Sequence, residues 1–547
     1  MAHRRLQVIS GHLAPSPTRG RAKGPAGWQP EVDDLEHRKQ IIRTADVKDP
    51  GYVRQKLQGK LWVRDRIDAF VDAGSFREFG AIAGKPEYGD PKESNNITKI
   101  TPGNYVGGRA TVDNRPIVVG ADDFSVRGGH ADGAIGLKSI YGERMAVNLR
   151  LPMIRLLDGS SGGRTYPPPL TGIEVMVKAL TDIPVACAIL GPAVGLGAAK
   201  ATISHFSVVA GDIGQLFAAG PPVVEYSTFE KLTKDELGGA LSHTSNGSID
   251  NWAANEQECF VQIRRFLSFM PTNSSHLPPY SKTSDPITRQ DERLLSIIPR
   301  RRSSPYKIRE IISSVVDEGS WFEIGGRWGG SVVVGLARLG GYPVGVWASD
   351  CEVKGGGLER EGCMKLRRHI DLCETFGLPV LNLVDQPGFS VGTEAEKAAS
   401  IRYGATVMTA LYQATIPLFT VILRRAFGVA GAAMISSTTE TFNQRVAWPS
   451  ADWGSLPIEG GIEAAYKRRL NEASEKREQL KQELLAEFEA VRSPIKTAEA
   501  FEIPDIIDPR TTRPMACEWV KLVYEQVLPD RIVRRRTRGV EGVAYRP

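Results

Sequence analysis

Pro116-Ile-Val-Val-Gly-Ala-Asp-Asp123 returns 227 positions later as Pro343-Val-Gly-Val-Trp-Ala-Ser-Asp350. The same offset carries Val126, Gly128, Gly129 and Lys138 onto Val353, Gly355, Gly356 and Lys365. It then carries Leu151, Pro152, Leu156 and Asp158 onto Leu378, Pro379, Leu383 and Asp385 without a gap. Upstream, Val71-Asp-Ala-Gly-Ser-Phe-Arg-Glu78 matches Val316-Asp-Glu-Gly-Ser-Trp-Phe-Glu323 at offset 245. Downstream, Ile183-Pro184 and Ile189-Leu190 match Ile416-Pro417 and Ile422-Leu423 at offset 233, and Gly195-Leu-Gly197 meets Gly428-Val-Ala430. Three blocks in one order make the chain two copies of one domain.

Each copy reads the same way. A short apolar strand (117–119; 344–347) leads through an Asp to a Gly-Gly turn and a helical stretch. A second strand (153–157; 380–384) ends in an Asp and a glycine turn. A third (185–190; 418–423) ends in a glycine turn that opens a helix. Strands alternating with helices imply an α/β domain. Turns that feed helix N-termini aim backbone N–H groups outward, which suits anions and oxyanions. A proline-rich linker with Pro271, Pro278, Pro279 and Pro286 separates the copies. The organisation expected is a basic arm or presequence over 1–45, disordered, then domains over 46–290 and 291–547. Residues 464–492 are expected to form one long charged helix, an exposed arm.

The rest of the composition narrows the class. The chain has 547 residues, 41% apolar and 24% charged, which excludes global disorder. A net charge of +6, with no basic stretch interleaved with aromatics, argues against a nucleic-acid partner. The six cysteines are far apart, with no CxxC pair, and the histidines form no HExxH, so neither a disulfide framework nor a zinc site is expected. Residues 183–199 carry no charge, but Pro184, Pro192 and three glycines mark a buried strand and turn rather than a membrane span.

Three motifs have competing readings. Gly159-Ser-Ser161-Gly-Gly163 fits G-x-S-x-G, a hydrolase nucleophile elbow, yet the equivalent turn Asp385-Gln-Pro-Gly-Phe389 has no serine. Gly195-Leu-Gly197 is a partial phosphate loop, better read as a strand-to-helix turn that aims N–H groups. Met364-Lys365 has the form of a biotin attachment site, but Lys138 is the repeat partner of Lys365 and both fall in helical stretches, so an ordinary lysine is expected.

With these residues in view, the sequence resembles the carboxyltransferase (β) subunits of biotin-dependent acyl-CoA carboxylases, the propionyl-CoA and acetyl-CoA carboxylase type. The resemblance spans roughly residues 50 to 530. It rests on Gly59-Lys-Leu-Trp-Val-Arg-Asp-Arg-Ile-Asp68, Asp72-Ala-Gly-Ser-Phe76, and Asp123-Phe with Gly128-Gly129. It continues through Val384-Asp-Gln-Pro-Gly-Phe389 with Gly392, Arg424-Arg-Ala-Phe-Gly-Val-Ala430 and Ile507-Asp-Pro-Arg-Thr-Thr-Arg513. It implies two tandem crotonase-like domains, in agreement with the repeat. It also implies transfer of CO2 from carboxybiotin, carried by a partner biotin carboxylase/biotin carrier subunit, to the α-carbon of a short acyl-CoA, acetyl or propionyl.

The same resemblance implies a homo-oligomer. The site forms between the N-domain of one subunit and the C-domain of another, a dimer within a hexamer. No metal in this chain and no membrane span are implied, and the compartment is the mitochondrial matrix or the cytoplasm. Two oxyanions form in such a reaction, one on the thioester and one on the biotin ureido group, so two pairs of backbone donors replace a nucleophile. The matching positions are Gly162 and Gly163 in the first copy, and Val429 and Ala430 in the second. Gly128, Gly129, Gly195, Gly197, Gly388, Phe389, Gly428 and Ala432 are the implied substrate-binding positions. The loop Asp158-Gly-Ser-Ser-Gly-Gly-Arg164 is one residue longer than the family's Asp-Ser-Gly-Gly-Ala-Arg, and Val429 stands where the family has glycine. A biotin-dependent acyl-CoA decarboxylase subunit, or a catalytically reduced scaffold paralogue, is compatible with the same residues.

Overall fold

The computed structural model describes residues 27–89, 97–130, 133–160, 172–435, 441–456, 458–491, 493–538 and 545–547. It divides into two compact units. The smaller, from residues up to 47 and 80–102, holds the helix Gln29–Arg43 and an antiparallel pair of strands, Gly84–Tyr88 with Ile97–Pro102. The expectation of a disordered arm over 1–45 is therefore corrected for Gln29–Arg43, where Pro30 at the helix start and an i,i+4 Asp34–Arg38 ion pair favour a helix.

The larger unit contains both copies, each built around one sheet. In the first copy the strands are β1 (Arg77–Glu78), β2 (Tyr105–Val112), β3 (Arg115–Asp122), β4 (Met153–Ser160), β5 (Val185–Val194), β6 (Phe206–Ala210), β7 (Gln215–Phe217) and β8 (Asn251–Ala253). Their order is β1-β2-β3-β4-β5-β6-β8, with β7 beside the end of β5. In the second copy they are β9 (Phe322–Ile324), β10 (Val332–Leu339), β11 (Tyr342–Ser349), β12 (Val380–Gln386), β13 (Leu418–Phe427), β14 (Gln444–Ala447) and β15 (Asp452–Gly454). Their order is β9-β10-β11-β12-β13-β14, with β15 beside the end of β13. In both, the first two pairings are antiparallel and the rest parallel. The fold is α/β, as two tandem domains of one crotonase-like type, and among the described strands of the two sheets only β8 lacks a counterpart.

Local chemistry repeats with the topology. The helix α1 (Val63–Phe70) precedes β1 as α2 (Ile308–Val315) precedes β9. Arg64 pairs with Glu78 at 3.1 Å, and Arg309 with Glu323 at 2.6 Å. Each first hairpin turns through two left-handed residues, Asp113-Asn114 and Gly340-Gly341, the backbone that suits strand twist. Their N–H groups donate to Asp72 and Asp317 respectively. The parallel strands are buried along nearly their whole length, which explains their unbroken apolar runs. The copies pack through aromatics: Phe206 lies 5.4 Å from Phe322, and Phe269 stacks on Phe322.

The expected single helix over 464–492 is corrected. The segment is three helices, Ile458–Ala465, Lys467–Glu472 and Arg477–Val491, folded on one another. Ile462, Leu470 and Leu484 make a small core of their own, and Glu463 accepts from Arg477 and Lys481. Apolar positions on consecutive turns read as one stripe whether or not the chain reverses between them. No described helix is long and apolar enough to cross a membrane.

Candidate active site

The centre of each copy is the carboxyl end of its middle parallel strand, β4 or β12. Both strands are interrupted at their acid: pairing shifts register between Leu157 and Gly159, and between Val384 and Gln386. Asp158 and Asp385 are fully buried. A buried carboxylate survives only with counter-charges and hydrogen bonds around it, and both acids are saturated. Asp158 is held by Lys60 Nζ at 3.1 Å and Arg66 Nη1 at 2.8 Å. Arg66 is itself tied to Glu256 and to the Leu190 carbonyl. Asp385 accepts from Arg424 Nη2 at 2.9 Å, Arg425 Nε at 2.6 Å and the Tyr306 hydroxyl at 3.0 Å. Burial pushes the Asp385 carboxyl up, but Arg425 and Arg424 together hold it below the usual range.

A left-handed turn presses on each strand end. Arg127, Gly128 and Gly129 have φ of 57°, 62° and 69°, and Lys354, Gly355 and Gly356 have 49°, 65° and 84°. A Cβ on Gly129 would fall 2.5 Å from the Gly159 Cα, and one on Gly356 would fall 3.3 Å from the Asp385 carbonyl oxygen. The third component is the helix after the next strand. Gly195 (φ 59°) opens α3 (Leu196–Thr202), and Gly428 (φ 61°) opens α4 (Gly428–Ile435). A Cβ on Gly197 would come within 2.9 Å of the Gly159 carbonyl oxygen.

The structure thus brings Gly129 and Gly197 against Gly159 at the end of β4, with Gly128 and Gly195 in the same two turns. In the second copy Gly388 (φ 127°) lies beside the end of β13, next to Gly428. The Phe389 ring is turned onto α5 (Ser400–Gln413), where a Cβ on Gly404 would strike it. This segment offers main chain instead: Leu358 N–H donates to the Gly388 carbonyl, and Ser390 N–H to the Leu358 carbonyl. Along α4, Val429 and Ala432 face outward while Ala430 is buried. First-turn N–H groups of a helix have no carbonyl upstream to meet, so Val429 and Ala430 carry donors at the right end. Gly162 and Gly163 lie outside the described residues. Lys365 sits buried in the helix Arg360–Phe376, donating to the Gly325 and Trp328 carbonyls, which agrees with an ordinary structural lysine.

Sequence reasoning missed the cations. Arg424 and Arg425 interrupt an apolar strand, Lys60 precedes α1 and Arg66 shares a face of α1 with Val63, Ile67 and Phe70; such placements demand a buried acid, and Asp158 and Asp385 were the acids available. A cleft of about 1210 Å3 opens beside the Asp385 cluster, lined by Pro387, Arg425, Phe427, Trp453, Arg300 and Lys496.

Residues 54–538 match the family model described as carboxyl transferase domain. The chain is 32% identical over 490 residues to the propionyl-CoA carboxylase carboxyltransferase subunit of Haloferax mediterranei, covering 88% of this chain and 94% of that one. It is 30% identical over 472 residues to the methylmalonyl-CoA decarboxylase subunit alpha of Veillonella parvula, covering 84% and 89%. Among solved structures it is similar to the hexameric transcarboxylase 12S with methylmalonyl-coenzyme A and methylmalonic acid bound. There the TM-score is 0.81 and the identity 26%, over 92% of this chain and 97% of that one.

Proposed function

The chain belongs to the carboxyl transferase domain family, and from that premise we propose how it divides the reaction between its copies. It is a carboxyltransferase of the acyl-CoA carboxylase type. In our reading the first domain, 46–290, takes the acyl-CoA and the second, 291–547, takes carboxybiotin from a partner carrier subunit. The observation that carries it is the doubled site: one buried acid, one left-handed turn and one helix start, twice over.

Backbone donors suit this chemistry because two oxygens gain negative charge and neither needs a nucleophilic side chain. Gly162 and Gly163 hold the thioester oxygen as the α-proton leaves, while Gly128, Gly129, Gly195 and Gly197 shape that wall. Val429 and Ala430, behind the positive-φ Gly428, hold the ureido oxygen. A neutral carbonyl that becomes an anion fits a helix start with unmet N–H groups. When bound, carboxybiotin supplies CO2 and the base that accepts the α-proton; the chain orients both reactants and keeps water away.

Ala432, outward on α4 beside Val429, faces the acyl group of a short chain, acetyl or propionyl. Catalysis takes place in a homo-oligomer, each site shared by two subunits, as a hexamer of this family would place it. The compartment is the mitochondrial matrix or the cytoplasm: five basic residues and no acid in residues 1–30 suit the first, while the proline and glycine of 14–30 do not suit a helical presequence. The Veillonella relative favours one second reading, the reverse direction as a decarboxylase.

Reconstitution separates the two. With a biotin carboxylase/carrier subunit, ATP, labelled bicarbonate and a panel of acyl-CoAs, we expect label in a carboxyacyl-CoA only when the partner is present. Loss of carboxyl from methylmalonyl-CoA with no forward labelling would reverse the assignment of direction.

A further inference from the structure

The two buried acids are equivalent, but their counter-charges come from opposite directions. The offset of 233 that aligns β5 with β13 places Gly191 and Pro192 opposite Arg424 and Arg425. The offset of 245 that aligns α1 with α2 places Lys60 and Arg66 opposite Pro305 and Ile311. Where the second copy has arginines on the neighbouring strand, the first has a glycine. Where the first copy has cations on the preceding segment, the second has apolar residues. The exchange is sterically reciprocal: a Cβ on Gly191 would fall 1.9 Å from Asp158 Oδ1 and 2.4 Å from Lys60 Nζ. The ammonium of Lys60 thus stands against the very residue that is replaced by an arginine in the second copy.

We propose that Lys60 and Arg66 are positioning residues of the first copy: they fix the Asp158 side chain at the end of β4 and thereby fix the wall of the acyl-CoA site. The inference rests on the reading of that copy as the acyl-CoA side. Its mechanical basis is short. Asp158 N–H donates to the Asp122 carboxylate at the end of β3. The next residue, Gly159, supports Gly129 on one side and Gly197 on the other at distances that admit no Cβ. A shift of the Asp158 carboxylate therefore moves the seat of both turns. Lys60 also lies over the Phe124 ring, 4.6 Å from its centroid, so its ammonium is fixed from a second side.

The test uses the full reconstituted carboxylase with Lys60→Met, Lys60→Arg and Lys60→Gln. Wild-type activity is measured first, so a dead wild type indicts the reading of function and not this proposal. We expect Lys60→Met to lower kcat by roughly tenfold or more while KM for acyl-CoA moves less than about threefold, the pattern of an interaction felt in the transition state. Lys60→Arg, which keeps the charge, should recover most of kcat, which a packing role would not. Lys60→Gln removes the charge but keeps a polar end group toward the buried carboxylate, a milder change than Lys60→Met; kcat should fall a few-fold. Wild-type kcat in a folded Lys60→Met overturns the proposal, as does a Lys60→Arg as impaired as Lys60→Met. If Lys60→Met does not fold, wild-type kcat in Lys60→Gln overturns it.

Discussion

Glycine at position 129 leaves the sequence almost no freedom. Its φ of 69° already disfavours a side chain, and the added Cβ would lie 2.5 Å from backbone that cannot yield. Gly356 has the same kind of φ, but its Cβ would meet the Asp385 carbonyl oxygen at 3.3 Å, a contact that a few tenths of an ångström relieve. Gly129→Ala and Gly356→Ala should both carry the left-handed strain of about 1–2 kcal/mol, with Gly129→Ala costing more on top. Urea unfolding of the two variants measures the difference, and equal losses would show that the first turn can retreat from β4. The motif glycines were legible in the sequence because the repeat aligned them. Their partners were not: which cation meets which acid depends on segments nearly 100 residues apart, as with Lys60 and Asp158.

Among the elements, three strands of each copy were read, with the starts of β4, β5, β12 and β13 exact, because buried strands leave unbroken apolar runs; β2, β6, β10 and β14 went unread. The arm over 464–492 was misread because periodicity is blind to a reversal of the chain. The helix Arg360–Phe376 carries a consequence that no pattern announces. Asp371 is buried on it, Oδ2 has no hydrogen-bond partner among the described residues, and the Arg367 guanidinium is 3.6 Å away. Burial pushes this carboxyl up to about 6, against the pull of Arg367 and Arg546 and with a small push from Glu374. A raised folded value means that the fold favours the protonated form. The favourable contribution is fully present below the ordinary carboxyl value and is lost as pH climbs through about 6. Asp371→Asn should flatten the stability profile between about pH 4 and 7, read from thermal unfolding across that range; parallel profiles for variant and wild type would remove Asp371 as the source.

At the scale of the molecule, duplication explains why so plain a set of residues can do this chemistry. One backbone cradle stabilises one oxyanion; a reaction that creates two needs the cradle twice, and each copy can then specialise around an unchanged strand end. The two copies differ in this way already at their buried acids, held by Lys60 and Arg66 in one and by Arg424 and Arg425 in the other. The fold was legible from the repeat alone. The pairing of the copies into sites was not, because a sequence does not say which surface meets a second subunit. Complementation measures it directly. On the proposed assignment, Gly129→Ala should disable the first copy. Ala430→Pro removes one donor of the second, where the first turn of a helix tolerates proline, at a cost on the order of 10²–10³ in turnover. The two variants are co-expressed with different tags and the doubly tagged oligomer is reconstituted with the carrier subunit. If each site joins the first copy of one subunit to the second copy of another, a mixed pair regains one intact site, about half of wild-type activity; a mixed oligomer no more active than its parents would contradict the account.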